Sequence, residues 1–311
     1  MRTNCTAAIA CTILLVGCAT FAPRPALDES PAAVAAKPFP DGYHPVALVL
    51  SGGSARGYAH IGVIKVLEAH GLKPDLVVGS SAGSIVGSLY ASGLTATELE
   101  NALAQLDSVA FTDFVLPSLG FLPGELGFIR GDKLHAFIDA RAKKEHYIEN
   151  FPIRFAAVTT DLNTGQAVAF NSGEAGLAVV ASSAVPGVIM PVEIGKRRYG
   201  DGGIASPLPV VTARALGAKT VIAVDVMYPP EDASLSSAIS VLFQAFIISS
   251  RHLTKTEAAQ ADLVITPQIA RTSGQFAFAD RAHLTAAGEE AARKALPQLK
   301  ALFVRRGPLP N

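Results

Sequence analysis

Residues 45 to 311 predict an α/β domain whose central sheet is largely parallel and covered by helices. Short β-branched runs, apolar at nearly every position, recur along this part of the chain, and longer stretches of helical pattern lie between them. Alternation of this kind places helices over a buried parallel sheet, with the ligand site at the carboxyl ends of the strands.

The strands are expected at 46–50 (VALVL), 75–78 (DLVV), 154–160 (RFAAVTT), 220–226 (TVIAVDV) and 262–266 (DLVIT). Their continuous apolar character fits strands buried on both faces. Helices are expected near 57–70, 83–92, 95–106, 131–142, 207–216, 235–256 and 281–300. In the sixth of these, Leu235, Ile239, Leu242, Phe243, Phe246 and Ile247 share one face, the mark of a core helix or of one turned toward a membrane or partner. Residues 111–130 (FTDFVLPSLGFLPGELGFIR) break the alternation, because their aromatic and aliphatic residues follow neither period. Both a lid or wall over a site and a loop packed on the core fit this stretch.

The composition narrows the function classes. Half of the 311 residues are hydrophobic and 17% are charged, enough to build a sizeable core. The 26 basic residues balance the 26 acidic ones, and the short KRR at 196–198 reads as a solvated turn, so a nucleic-acid footprint is excluded. No internal repeat is present.

The first 17 residues carry Arg2 and an apolar AAIACTILLVG, too short to span a membrane and shaped like a secretory signal. The residues before Cys18, LVGC, resemble a bacterial lipobox, in which the cysteine is acylated and becomes the mature N-terminus. An ordinary cleaved signal and a cytosolic start are the competing readings. Cleavage before Cys18 would remove Cys5 and Cys11, leaving one cysteine and no possible disulfide. Residues 18–44, rich in Pro and Ala, would then form a tether that holds the domain off a membrane surface. The lipobox resemblance implies a lipid-anchored protein of the bacterial cell envelope, and Ala19 after the cysteine points to the outer membrane.

Three short segments carry the candidate chemistry. GSSAG (79–83) lies between a strand and a helix, as a nucleophile elbow around Ser81 or as an ordinary turn. SGGSARG (51–57) follows the first strand and opens the first helix, as an anion-binding loop or as a structural glycine turn; its spacing is neither Walker A nor Rossmann. Asp201, in RYGDGG, is expected on a tight turn. A serine nucleophile needs a base, and the two late histidines, His252 and His283, fall in helical stretches where a surface role is expected.

Taken in order, GGSARG, GSSAG and DGG resemble the patatin-like phospholipase family, as do GYAHIGVIKVLEAHG (57–71), TTDLNTG (159–165) and ASSAVPG (181–187). The resemblance covers about residues 45–300 and departs from the commonest family pattern at Ser54, where glycine is usual. It implies a three-layer α/β/α patatin-like fold and a serine–aspartate dyad without histidine. Ser81 would be the nucleophile and Asp201 the base, and the backbone N–H groups of Gly52, Gly53 and Ser54 the oxyanion hole. Arg56 would position either a substrate phosphate or the loop. The implied activity is hydrolysis of a fatty-acyl ester in a phospholipid or lysophospholipid through an acyl-serine, with no metal or cofactor. Acyl transfer, or a lipid-anchored protein that binds lipid or scaffolds a partner without catalysis, is the alternative.

Overall fold

The five apolar runs form the five parallel strands of one mixed, eight-stranded sheet. The computed structural model describes residues 30–106, 111–115, 126–142, 146–227, 229–230, 235, 237–270 and 278–306. The signal-peptide and Cys18 expectations therefore lie outside the described residues. In chain order the strands are β1 (Val46–Leu50), β2 (Leu76–Ser80), β3 (Arg154–Asp161), β4 (Ala167–Phe170), β5 (Val192–Ile194), β6 (Arg197–Asp201), β7 (Thr220–Val224) and β8 (Leu263–Ile265). They run across the sheet as β5-β6-β3-β2-β1-β7-β8, and β4 also pairs with β3. The antiparallel strands β4, β5 and β6 had no counterpart in the sequence reading.

The helices are α1 (Tyr58–Ala69), α2 (Ala82–Ala91), α3 (Ala96–Leu103), α4 (Asp132–Asp139), α5 (Ala175–Ser182), α6 (Val210–Ala215), α7 (Ala238–Ala258) and α8 (Arg281–Val304). All but α5 match an expected helical stretch. No helix among the described residues is long and apolar enough to cross a membrane.

Side-chain alternation along the parallel strands divides the core in two. Leu48, Leu50, Val77, Phe155 and Ile222 face a large cluster with α1 to α5 and α8. Ala47, Val49, Val78, Val158 and Val221 face a smaller one with α6, the end of α7 and Phe39. Both faces are dry, as parallel sheets require.

Residues 30–44, the described part of the expected 18–44 tether, lie against the domain. Ala32 pairs with Ser172, Phe39 packs on the second core, and the Arg154 guanidinium stacks 3.8 Å over the Phe39 ring while donating to the Lys37 carbonyl. Proline and alanine content registers low backbone freedom, and here the segment finds an apolar groove and an arginine to lie against.

Helices α1 and α8 meet backbone to backbone. A Cβ at Gly288 would lie 1.9 Å from the Ala59 carbonyl oxygen, and one at Gly62 2.0 Å from that of Thr285. Gly288→Val is therefore expected to force the two helices apart and lower stability by at least about 1–3 kcal/mol. Urea unfolding monitored by circular dichroism measures this, and an unchanged midpoint would contradict the close approach.

Candidate active site

Strand register brings the three motifs to one edge of the sheet. Leu50 pairs with Gly79 on one side and Val224 on the other, so β1, β2 and β7 end level. Ser80 pairs with Val158, and the next residue, Thr159, pairs with Asp201. The segments after β1 and β2 and the end of β6 thus converge at the carboxyl ends of the parallel strands, where α/β sheets bind ligands.

Ser81 occupies a strained elbow between β2 and α2, with φ 52° and ψ −123°. Ser54 has φ 50°, and these two serines are the only non-glycine residues of positive φ among the described residues. Such conformations cost on the order of 1–3 kcal/mol each and persist only where the surroundings over-determine them. At Ser81 the surroundings do so. Its N–H donates to Ser182 Oγ at 3.0 Å, and Ser182 Oγ donates to the Val158 carbonyl. The Ser81 carbonyl accepts from the Ser84 N–H and hydroxyl and from the Ile85 N–H. The glycines flanking the elbow are set by contact: a Cβ at Gly79 would lie 2.3 Å from the Gly83 carbonyl oxygen, and one at Gly83 2.1 Å from that of Leu50. Helix α2 therefore starts flush against the ends of β1 and β2.

Asp201 is 1% exposed. Its Oδ1 accepts from the Gly203 N–H at 2.7 Å, while Oδ2 has no hydrogen bond of full geometry among the described residues. Burial pushes the carboxyl up to about 7, against the Gly203 N–H and the Ser81 hydroxyl, which both favour the ionised form. The Thr160 hydroxyl donates to its carbonyl, and its own N–H donates to the Ala184 carbonyl, so the turn is fixed from both sides.

In the glycine-rich loop the Gly52 N–H donates to the Pro207 carbonyl at 3.0 Å, which ties the loop down. Neither Gly53 nor Ser54 donates its N–H to an acceptor among the described residues. Ser51 Oγ accepts from the Val226 N–H, and His60 Nε2 meets the Ser51 carbonyl at 2.9 Å. His60 is fully buried, and desolvation lowers it to about 4, so it stays neutral.

Arg56 is only 7% exposed and is not among the residues lining the two cavities beside Ser81, and its backbone N–H donates to the Gly53 carbonyl, within the loop itself. His252 and His283 are exposed on α7 and α8, and no histidine lines either cavity.

Ser81 stands where two cavities meet. The larger, about 470 Å³, is walled almost wholly by apolar side chains, among them Ile85, Leu103, Phe111, Phe128, Val188 and Ile189. The smaller, about 20 Å³, is bounded by Gly53, Ser54, Asp201, Met227 and Phe246. Phe243 of α7 borders both. Residues 111–115 and 126–130 form part of the large cavity's wall: Phe114 pairs with Ile129, and the Phe128 and Ile129 N–H groups both donate to the Val188 carbonyl. Residues 116–125, the middle of the 111–130 stretch, lie outside the described residues.

A family model described as patatin-like phospholipase matches residues 48–214, a span containing all three motifs. The chain belongs to the patatin-like phospholipase family. An uncharacterized NTE family protein of Mycobacterium tuberculosis is 39% identical over 180 residues, covering 58% of this chain and 48% of the relative. Human patatin-like phospholipase domain-containing protein 6 is 35% identical over 183 residues, covering 58% of this chain and 13% of its own. Lysophospholipase NTE1 of Eremothecium gossypii is 33% identical over 187 residues, covering 58% and 12%. The chain matches about half or less of the length of these curated relatives.

The raised Asp201 carboxyl has a thermodynamic consequence. Its folded-state value near 7 lies above the ordinary 3.8, so the folded protein binds the extra proton between those values and loses stability as pH rises through them. Asp201→Asn removes that cost. The variant is expected to be more stable than the wild type at pH 8, by on the order of 1–4 kcal/mol, with the advantage shrinking as pH falls toward 4. Thermal unfolding across this range checks it, and a difference independent of pH would contradict the assignment.

Proposed function

We propose that this patatin-like protein hydrolyses a fatty-acyl ester of a phospholipid or lysophospholipid, with Ser81 as nucleophile and Asp201 as its base. The observation that carries the reading is the place of Ser81 at the junction of an apolar cavity and a small cleft bounded by a buried carboxylate and two unspent backbone N–H groups. An acyl chain fits the first and the reacting carbonyl the second.

In the proposed reaction, Asp201 Oδ2 takes the proton as Ser81 Oγ attacks the ester carbonyl carbon. The Gly53 and Ser54 N–H groups stabilise the resulting oxyanion, each such donor being typically worth 10²- to 10³-fold in rate. The carbon–oxygen bond to the alcohol breaks, and Asp201 returns the proton to the leaving oxygen. Water then attacks the acyl-serine with the same carboxylate as base, releasing the fatty acid and restoring Ser81. A carboxyl held near 7 is a far better base at neutral pH than an ordinary aspartate, and burial supplies that shift.

The name of the NTE1 relative supports a lysophospholipid as substrate, and the large apolar cavity beside Ser81 suits an acyl chain. The proposal extends to anchorage in the bacterial envelope through an acylated Cys18, supported by LVGC before a Pro/Ala-rich segment.

Fatty acid and lysolipid released from diacyl phospholipid vesicles and from lysophospholipid micelles, read by mass spectrometry, test the assignment. Wild type is expected to release fatty acid, Ser81→Ala to release none, and Asp201→Asn to be slower by about 10²- to 10⁴-fold. The wild-type rate should fall as pH drops below about 7, because protonation removes the base. Undiminished release by Ser81→Ala would overturn the reading.

A further inference from the structure

Beyond the residues of the proposed dyad, one buried acid on α7 connects the two halves of the site. Glu257 is 8% exposed, and among the described residues it has no cationic partner. Its Oε1 accepts from the Ser206 hydroxyl at 2.6 Å and its Oε2 from the Leu208 N–H at 3.1 Å. The residue between those two donors is Pro207, whose carbonyl holds the Gly52 N–H of the glycine-rich loop at 3.0 Å. The Ser206 N–H in turn donates to the carbonyl of Gly202, next to Asp201. One carboxylate therefore grips a three-residue segment that joins the Asp201 turn to the oxyanion loop.

Neighbouring contacts fix α7 itself. Ser250 Oγ donates to the Gly203 carbonyl at 2.7 Å, and Arg251 pairs with Asp225 at 2.6 Å, while Asp225 also accepts from the Met227 N–H. A buried carboxylate satisfied by neutral donors alone is costly to keep ionised, and burial pushes Glu257 up to about 7. A glutamine or an apolar residue would avoid that cost. What the carboxylate supplies is two acceptor oxygens, spaced to take a hydroxyl and an N–H from residues two apart.

Resting on the reading of Ser81, Asp201, Gly53 and Ser54 given above, we propose that Glu257 is a positioning residue for the reaction. Through Ser206, Pro207 and Leu208 it sets the distance between the base and the oxyanion donors, and it touches no substrate.

The test uses full-length protein and a soluble p-nitrophenyl acyl ester, with Ser81→Ala as the control for the reading itself. Since misplacement of catalytic groups by about 1 Å can cost on the order of 10²-fold, Glu257→Ala is expected to lower kcat by about 10- to 100-fold and leave KM within about twofold. Glu257→Gln keeps an acceptor for the Leu208 N–H and can donate to Ser206 Oγ, so it should recover most of kcat. Ser206→Ala should lose part of kcat, and adding it to Glu257→Ala should cost little more, because the two share one contact. Folding is checked by thermal melting. A folded Glu257→Ala with wild-type kcat, a loss confined to KM, or a Gln variant no better than Ala would overturn the proposal. Should Glu257→Ala fail to fold, wild-type kcat in Ser206→Ala would overturn it instead. Turnover surviving in Ser81→Ala would condemn the underlying reading, whatever Glu257 does.

Discussion

The site depends on holding Ser81 in a backbone conformation that its own side chain disfavours. Everything near it serves that constraint. Helix α2 can begin flush on the sheet only because Gly79 and Gly83 carry no Cβ, and the serine N–H finds its acceptor on α5, a hundred residues downstream. The hydroxyl is thus presented by contacts from β1, β2, β3 and α5 together, and no local segment holds it alone. The second strained serine, Ser54, sits across the same cleft. Strain is concentrated where the reacting atoms would be, and the rest of the sheet is regular.

A second tension is electrostatic. Asp201 and Glu257 are both buried acids whose charged forms burial disfavours. Each is stabilised by N–H and hydroxyl donors, with no cation recorded beside it among the described residues. A cation would make either carboxylate easier to ionise, and it would also make Asp201 a weaker base. Neutral donors leave the carboxyl near neutrality, where it exchanges a proton readily. Stability above neutral pH is lower as a result.

Much of this was legible in the sequence, and the omissions have physical reasons. The five parallel strands announce themselves because burial on both faces demands unbroken apolar runs, as in VALVL and TVIAV. Strand β6 was missed because RRYGD opens on two exposed arginines in place of an apolar run, and β5 because three residues hold no pattern. Helix α5, AGLAVVAS, is buried all round and so lacks the amphipathic period that marks a helix. Ser81 and Asp201 could be picked out because the motifs around them are local. The hydrogen bond of the Gly52 N–H could not, since its acceptor Pro207 lies far along the chain. Glu257 gave no signal either. A glutamate near a helix C-terminus reads as solvated, and only the fold puts Ser206 and Leu208 against it. Of the α7 apolar face, Phe243, Phe246 and Ile247 border the site, whereas Leu242 is 70% exposed.

The strand order also determines when this chain can fold. Strand β1 lies between β2, its near neighbour in sequence, and β7, formed from the last third of the chain. Helix α1, the first to follow β1, rests its backbone on α8, the last helix described. The opening segments thus cannot close their core until the closing segments exist. Such a topology has high contact order, folds slowly, and leaves apolar strand edges open while synthesis or transport is under way. The early half of the polypeptide therefore exposes apolar surface until its C-terminal partners arrive.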